Sequence, residues 1–159
     1  MEYEVKLCQV SPSYLAAVRT VANAQNLAAK IRQILSESKV YEFIKQNGLE
    51  KAGHNVFIYR DAENETTPLA PGEFILEIGV QVAQPFTGDG RVICSTTPQG
   101  TAATTLHTGP YDRLGKAHNA VRNWCLANGH PLTRTSWEIY GDWEEDPNKL
   151  RTEVFYLLK

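Results

Sequence analysis

Phe74-Ile75-Leu76-Glu77-Ile78-Gly79-Val80-Gln81-Val82 (FILEIGVQV) reads as a β-strand with two chemically distinct faces. Phe74, Leu76, Ile78, Val80 and Val82 point one way and Glu77, Gly79 and Gln81 the other, the period of two that a pleated sheet imposes. Just upstream, His54–Arg60 (HNVFIYR) is short and β-rich, and the polar, proline-containing Asp61–Gly72 between them reads as a loop. Downstream, Pro85 and Gly88-Asp89-Gly90 close the first half of the chain.

Towards the N-terminus, residues 3–10 form a first strand that ends in Ser11-Pro12-Ser13, where proline marks a bend. Tyr14–Val21 resumes extended structure. From Ala24 the period changes to that of an amphipathic helix, with Leu27, Ile31, Ile34 and Leu35 as its stripe and Asn23 as N-cap. The stripe slips at Ser36-Glu37-Ser38 and restarts with Tyr41, Phe43 and Ile44, which predicts a break, and Gly48 after Asn47 suits a helix end.

The second half repeats this order. Val92–Thr97 and Thr101–Thr108 are strands, Tyr111–Ala127 is a helix with Leu114, Ala117, Val121, Trp124 and Cys125 as its stripe, and Asn128-Gly129 ends it. Ser136–Trp143 and Arg151–Leu158 are the closing strands. Ser11-Pro12 matches Thr97-Pro98 and Ala16-Ala17 matches Ala102-Ala103 at one common offset. Ile58-Tyr59 against Ile139-Tyr140, and Glu77-Ile78 against Glu153-Val154, follow at slightly smaller ones. The fold expected is α+β: one domain over 1–159, built from two pseudo-twofold-related β-α-β-β units (about 1–85 and 91–159). Antiparallel sheet and two main helices would flank a ligand cleft.

Composition narrows the function. The 159 residues carry a net charge of -2 with Lys and Arg scattered, which argues against direct nucleic acid contact. Three widely spaced cysteines without a CxxC pair suit a reducing, cytoplasmic setting. No apolar run is long enough to span a membrane, and the acidic, alternating start Met1–Lys6 does not look like a signal peptide. The four histidines show no HxxxH or HExxH spacing, so neither a metal nor another cofactor is expected. His107 belongs to a turn on this reading, whereas His118 looks into the core or a pocket. The acidic run Asp142–Asp146 reads as a solvated loop, and Cys125 as a buried thiol.

The residues that suggest chemistry lie on Ser136–Tyr140. Alternation places Glu138 and Tyr140 on one face, and the repeat sets Phe57 against Glu138 and Tyr59 against Tyr140. With Phe155 on the last strand, Phe57, Tyr59, Glu138 and Tyr140 can converge as an aromatic box around one carboxylate. Aromatic faces attract cations, and a carboxylate between apolar walls is compensated by a cationic guest. The alternative is an ordinary aromatic core whose acid pairs with a neighbouring Lys or Arg.

Two segments carry a family resemblance. His107-Thr108-Gly109-Pro110-Tyr111-Asp112-Arg113-Leu114-Gly115 opens the second helix, and Trp137-Glu138-Ile139-Tyr140 is followed by Asp142, Pro147 and Arg151-Thr152-Glu153-Val154. In this order and spacing the chain resembles the GyrI-like domain, also found as the effector-binding part of AraC- and MerR-type regulators, and Gly79-Val80-Gln81-Val82 extends the match. The resemblance implies a pocket for small, often cationic and aromatic ligands, with the buried acid at Glu138 and Tyr140 lining the pocket. Phe57, Tyr59 and Phe155 follow by strand alignment. It implies a sensor or sequestering protein rather than an enzyme. Hydrolytic members approach the same EIY strand through a His-rich segment, and Thr135-Ser136-Trp137 stands in its place. A protein partner, as in topoisomerase inhibition, is the remaining alternative, with the loop around Glu144-Glu145 as its surface.

Overall fold

In the computed structural model, residues 3–37, 39–60 and 69–159 are described. Among the described residues, eight strands and three α-helices follow in the order β1(Lys6–Val10), β2(Tyr14–Ala22), α1(Leu27–Glu37), α2(Val40–Gln46), β3(Lys51–Arg60), β4(Phe74–Val82), β5(Ile93–Thr96), β6(Gly100–Thr108), α3(Leu114–Ala127), β7(Leu132–Tyr140) and β8(Arg151–Leu158). The α+β class and the alternation of β4 are as the sequence suggests. Most of the loop expected at Asp61–Gly72, and the start of the chain at Met1-Glu2, lie outside the described residues.

The chain divides into two compact units, and their limits correct the repeat boundaries drawn from sequence. One unit comprises Pro12–Thr97, the other Met1–Ser11 with Pro98–Lys159. Strand β1 therefore belongs with the second half, pairing antiparallel with β6, and β5 belongs with the first, pairing with β2. The short links Ser11–Ser13 and Thr97–Gln99 form no turn that would fold each strand back as a hairpin. Proline fixes φ and removes a donor in each link. Ser13 and Thr97 are pinned to each other, Thr97 N–H donating to the Ser13 carbonyl at 3.0 Å and Ser13 N–H to the Thr97 hydroxyl at 2.8 Å.

In the Pro12–Thr97 unit the strands run β3-β4-β2-β5. Val40, Phe43 and Ile44, at helical spacing on α2, pack against Ala16, Val80 and Val82 of one sheet face. Tyr41, one step round the helix from that stripe, is 54% exposed and its hydroxyl donates to Asn55 instead. Leu35 of α1 is likewise exposed, so this helix seats itself through Ile34 rather than a broad stripe. Asn23 caps a turn ahead of α1: its carboxamide oxygen accepts from Asn26 N–H at 2.8 Å, and Asn26 returns the bond at 2.7 Å. On the opposite face Glu77 is buried at 2% exposure, although its strand pattern marks it as the polar side. Arg19 and Arg60 approach it at 3.4 and 3.3 Å, and the Ser95 hydroxyl donates at 2.6 Å.

In the other unit the strands run β1-β6-β8-β7. Leu114, Ala117, Val121 and Cys125 of α3 cover Ala103, Val154 and Tyr156. A 3-10 turn, Tyr111–Arg113, leads into α3, and Gly129 at φ 72° ends it, letting His130 N–H reach the Cys125 carbonyl at 2.9 Å. Strand β7 starts at Leu132 and stops at Tyr140, earlier at both ends than its apolar pattern suggests. The acidic stretch after it forms no strand, and Trp143 within it is 76% exposed. No helix among the described residues is long and apolar enough to cross a membrane.

Candidate functional site

The register of β7 against β8 decides which side chains surround Glu138. Ser136 lies opposite Tyr156, Glu138 opposite Val154 and Tyr140 opposite Thr152. Directly opposed residues in an antiparallel pair share a face, and this is the face that α3 covers. Trp137 lies opposite Phe155, and the two rings stack on the other side of the sheet at 5.0 Å with their planes 5° apart. Phe155 is thereby corrected: it shares parity with Glu153 and Trp137, points away from Glu138, and belongs to the packing of the opposite face. Tyr156, one residue on, takes its place.

Glu138 is buried at 4% exposure, and both of its carboxylate oxygens are engaged. Tyr140 donates its hydroxyl to Oε1 at 2.5 Å. His118, four residues after Leu114 on α3, presents Nε2 to Oε2 at 2.6 Å. The other ring nitrogen, Nδ1, meets the Tyr156 hydroxyl at 2.7 Å, and Arg122, one helical turn beyond His118, donates to that hydroxyl at 2.6 Å. A chain of polar groups thus runs Arg122, Tyr156, His118, Glu138, Tyr140, with a permanent cation at one end and a carboxylate near the other. Such charge-assisted bonds are short and about twice as strong as neutral ones. Burial raises the Tyr156 pKa above its ordinary value, and the nearby Glu138 charge adds to this, while the Arg122 charge and hydrogen bond and a bond from Ser136 oppose it. Tyr156 therefore stays a neutral phenol at physiological pH.

Aromatic rings complete the setting. Tyr111, in the turn before α3, meets Tyr140 edge-on at 5.4 Å, and the His118 and Tyr156 rings meet edge-on at 5.5 Å. The Thr152 hydroxyl, opposite Tyr140, is fully buried and has no hydrogen-bond partner among the described residues. An open groove of about 780 Å³ in the same unit lies elsewhere, lined by Arg113, Lys116, Asn119 and Asn123 and not by Glu138. Its charged lining, Arg113 and Lys116, is cationic.

The profile of the GyrI-like small molecule binding domain matches residues 3–159. The chain belongs to the GyrI-like small molecule binding domain family. No curated protein sequence matches it. Among solved structures, the GyrI-like fold recurs in the EcmrR C-terminal domain at a TM-score of 0.80 and 23% identity, covering 100% of this chain and 99% of that one. It also recurs in SAV2435 bound to tetraphenylphosphonium, at 0.69 and 13% over 100% and 94%. A third similar structure is a hydrolase from Listeria innocua, at 0.60 and 11% over 98% and 92%.

Of the residues expected from sequence for this GyrI-like domain, Glu138 and Tyr140 come together on the α3-covered face of their unit. Phe57 and Tyr59 lie in the other unit, where Phe57 opposes Ile78 and Tyr59 opposes Leu76. Those partners are on the sheet face that α2 covers. Phe57 is buried and Tyr59 half-buried, with the Tyr59 ring 6.0 Å from Phe74. The sequence reading placed His118 near core or pocket but did not connect it to Glu138, and it missed Tyr156 and Arg122. The i, i+4 spacing of His118 and Arg122 on the helix was the available signal. His107 is not a turn residue but the penultimate residue of β6, opposite Thr152; the Tyr3 hydroxyl lies 2.8 Å from its Nδ1, and its Nε2 is 3.0 Å from the carbonyl of Pro110 in the turn that follows.

Proposed function

We propose that this GyrI-like domain binds a lipophilic, aromatic monocation against Glu138, serving as a sensor or a sequestering protein. The observation that carries the reading is a buried carboxylate on the helix-covered face, edged by Tyr111, Tyr140 and Tyr156. A guest cation gains the carboxylate charge and the aromatic faces, each ring contributing about 0.5–2 kcal/mol as water is excluded. The similarity to SAV2435 bound to tetraphenylphosphonium supports a guest of that chemistry. The test is titration of tryptophan fluorescence with tetraphenylphosphonium and with triphenylphosphine oxide, a neutral analogue. Saturable quenching by the cation alone is expected. Equal, weak responses to both would reduce Glu138 and its tyrosines to a polar core.

A second reading has one observation in its favour. His118 against Glu138 resembles a base and its orienting carboxylate, and because its Nδ1 meets the Tyr156 hydroxyl it would activate a water towards a reactive electrophile by way of that phenol, which passes its proton to His118 and takes one from the water. Consumption of a strained electrophile by the wild type, absent in His118→Gln, would favour hydrolysis.

A further inference from the structure

We infer that His118 is the resident counter-cation of Glu138, so that a guest cation and a proton on His118 exclude one another and binding releases a proton. The inference rests on the proposed cation site and goes further, giving that site a proton linkage.

The hydrogen-bond pattern allows the imidazole to hold or lose a proton without moving any heavy atom. Neutral His118 donates Nε2–H to Glu138, while its Nδ1 accepts the Tyr156 hydroxyl proton. Protonated His118 donates from both nitrogens. The Tyr156 oxygen then accepts from Nδ1 as well as from Arg122, and its own proton turns to another acceptor. In both states the carboxylate keeps the Tyr140 hydroxyl and the His118 N–H.

Charge accounting then sets the coupling. Glu138 supplies one negative charge, which imidazolium or guest can neutralise. With both present, the buried site would hold an excess positive charge, while Arg122 stands beyond Tyr156 with its guanidinium carbon 5.7 Å from the ring centroid. The other titratable group that β6 turns to this face, His107, has both nitrogens engaged, by the Tyr3 hydroxyl and the Pro110 carbonyl. From β8 the facing group is the neutral phenol of Tyr156, from β7 Glu138 and Tyr140, and from the 3-10 turn Tyr111 through its contact with Tyr140. Among these described groups, none other than Glu138 offers a negative charge to balance two cations. A permanent cation should therefore bind more weakly, by up to about tenfold per pH unit, below the titration of His118, and with constant affinity above it.

The test is calorimetric titration with tetraphenylphosphonium, which has no titratable group, at pH 5.5 and 8.0 in two buffers of different protonation heat. The expected result is weaker binding at pH 5.5 than at pH 8.0, with more protons released per ligand at the lower pH, and pH-independent affinity in His118→Gln. Glutamine keeps an N–H donor for Glu138 but cannot titrate in this range. Equal affinity and no proton release in the wild type would overturn the inference while leaving the cation site standing. Unchanged pH dependence in His118→Gln would also overturn it and assign the proton to Glu138. Absence of saturable binding at both pH values would overturn the cation site and the coupling together. If His118→Gln does not fold, ring resonances of the wild type decide: saturation with ligand should move the His118 titration to lower pH, and an unmoved titration overturns the coupling.

Discussion

Replacing Glu138 by glutamine removes one charge and almost no volume, which separates binding from folding at this position. In the wild type the carboxylate accepts Tyr140 O–H at 2.5 Å and His118 N–H at 2.6 Å. Glutamine keeps one oxygen for His118 and can turn its amide N–H₂ towards the Tyr140 oxygen, because a phenol both donates and accepts. The folded state then exchanges two charge-assisted bonds for neutral ones, a loss of about 1–2 kcal/mol that is partly offset because no charge remains to be desolvated. The guest loses more. A monocation at about 4 Å from a carboxylate gains roughly 4 kcal/mol at an effective dielectric of ~20. Desolvation brings the net effect to about 1.5–3 kcal/mol, the range for a hydrogen-bonded charge. Glu138→Gln should thus weaken tetraphenylphosphonium binding by about 10- to 150-fold, while the urea midpoint moves only slightly. Unchanged affinity in a folded Glu138→Gln protein would refute the assignment of the cation to this carboxylate. Loss of folding with intact affinity in the folded fraction would make Glu138 a structural acid.

Glu77, the other buried carboxylate described above, should behave in the opposite sense: Glu77→Gln leaves Arg19 and Arg60 without their shared anion and should cost about 2–3 kcal/mol in chemical denaturation, below the ~3–5 of a fully buried pair because both arginines are partly exposed. Ligand affinity per folded molecule should stay the same. Thr152→Val removes a buried hydroxyl that lacks a partner among the described residues, and should stabilise the fold by about 1 kcal/mol, raising Tm by about 2–4 °C. A lower Tm would mean that the hydroxyl is satisfied by ordered water. The raised pKa of Tyr156 should add nothing to the pH dependence while both folded and unfolded phenols are protonated, and stability should decline as pH rises from about 10 through the folded value. Thermal melts from pH 8 to 11 should show a shallower alkaline decline in Tyr156→Phe than in the wild type, and parallel declines would place the titration at other tyrosines.

Features that depend on local period and local chemistry are legible from the residues alone. The strand β4 follows from alternation, α3 from its apolar stripe, the ends of α2 and α3 from Asn-Gly pairs, and the pairing of Glu138 with Tyr140 on one face from a spacing of two. Each of these is set by a few neighbouring residues, so no distant partner was needed to read it. The break between α1 and α2 was visible for the same reason, as a slip in the stripe. Which strand joins which unit depends on long-range pairing, because Ser11–Ser13 and Thr97–Gln99 look like bends within a unit until the pairing of β1 with β6 and β5 with β2 is known. The company of Glu138 depends on tertiary structure as well. A register of one residue separates Phe155 from Tyr156, and that single step exchanges a ring on the opposite face for a phenol within the polar chain. His118 and Arg122 reach the site from a helix, across a distance in sequence that no periodicity spans. Their contribution depends on how α3 lies over β7 and β8, which side-chain packing fixes and local pattern does not.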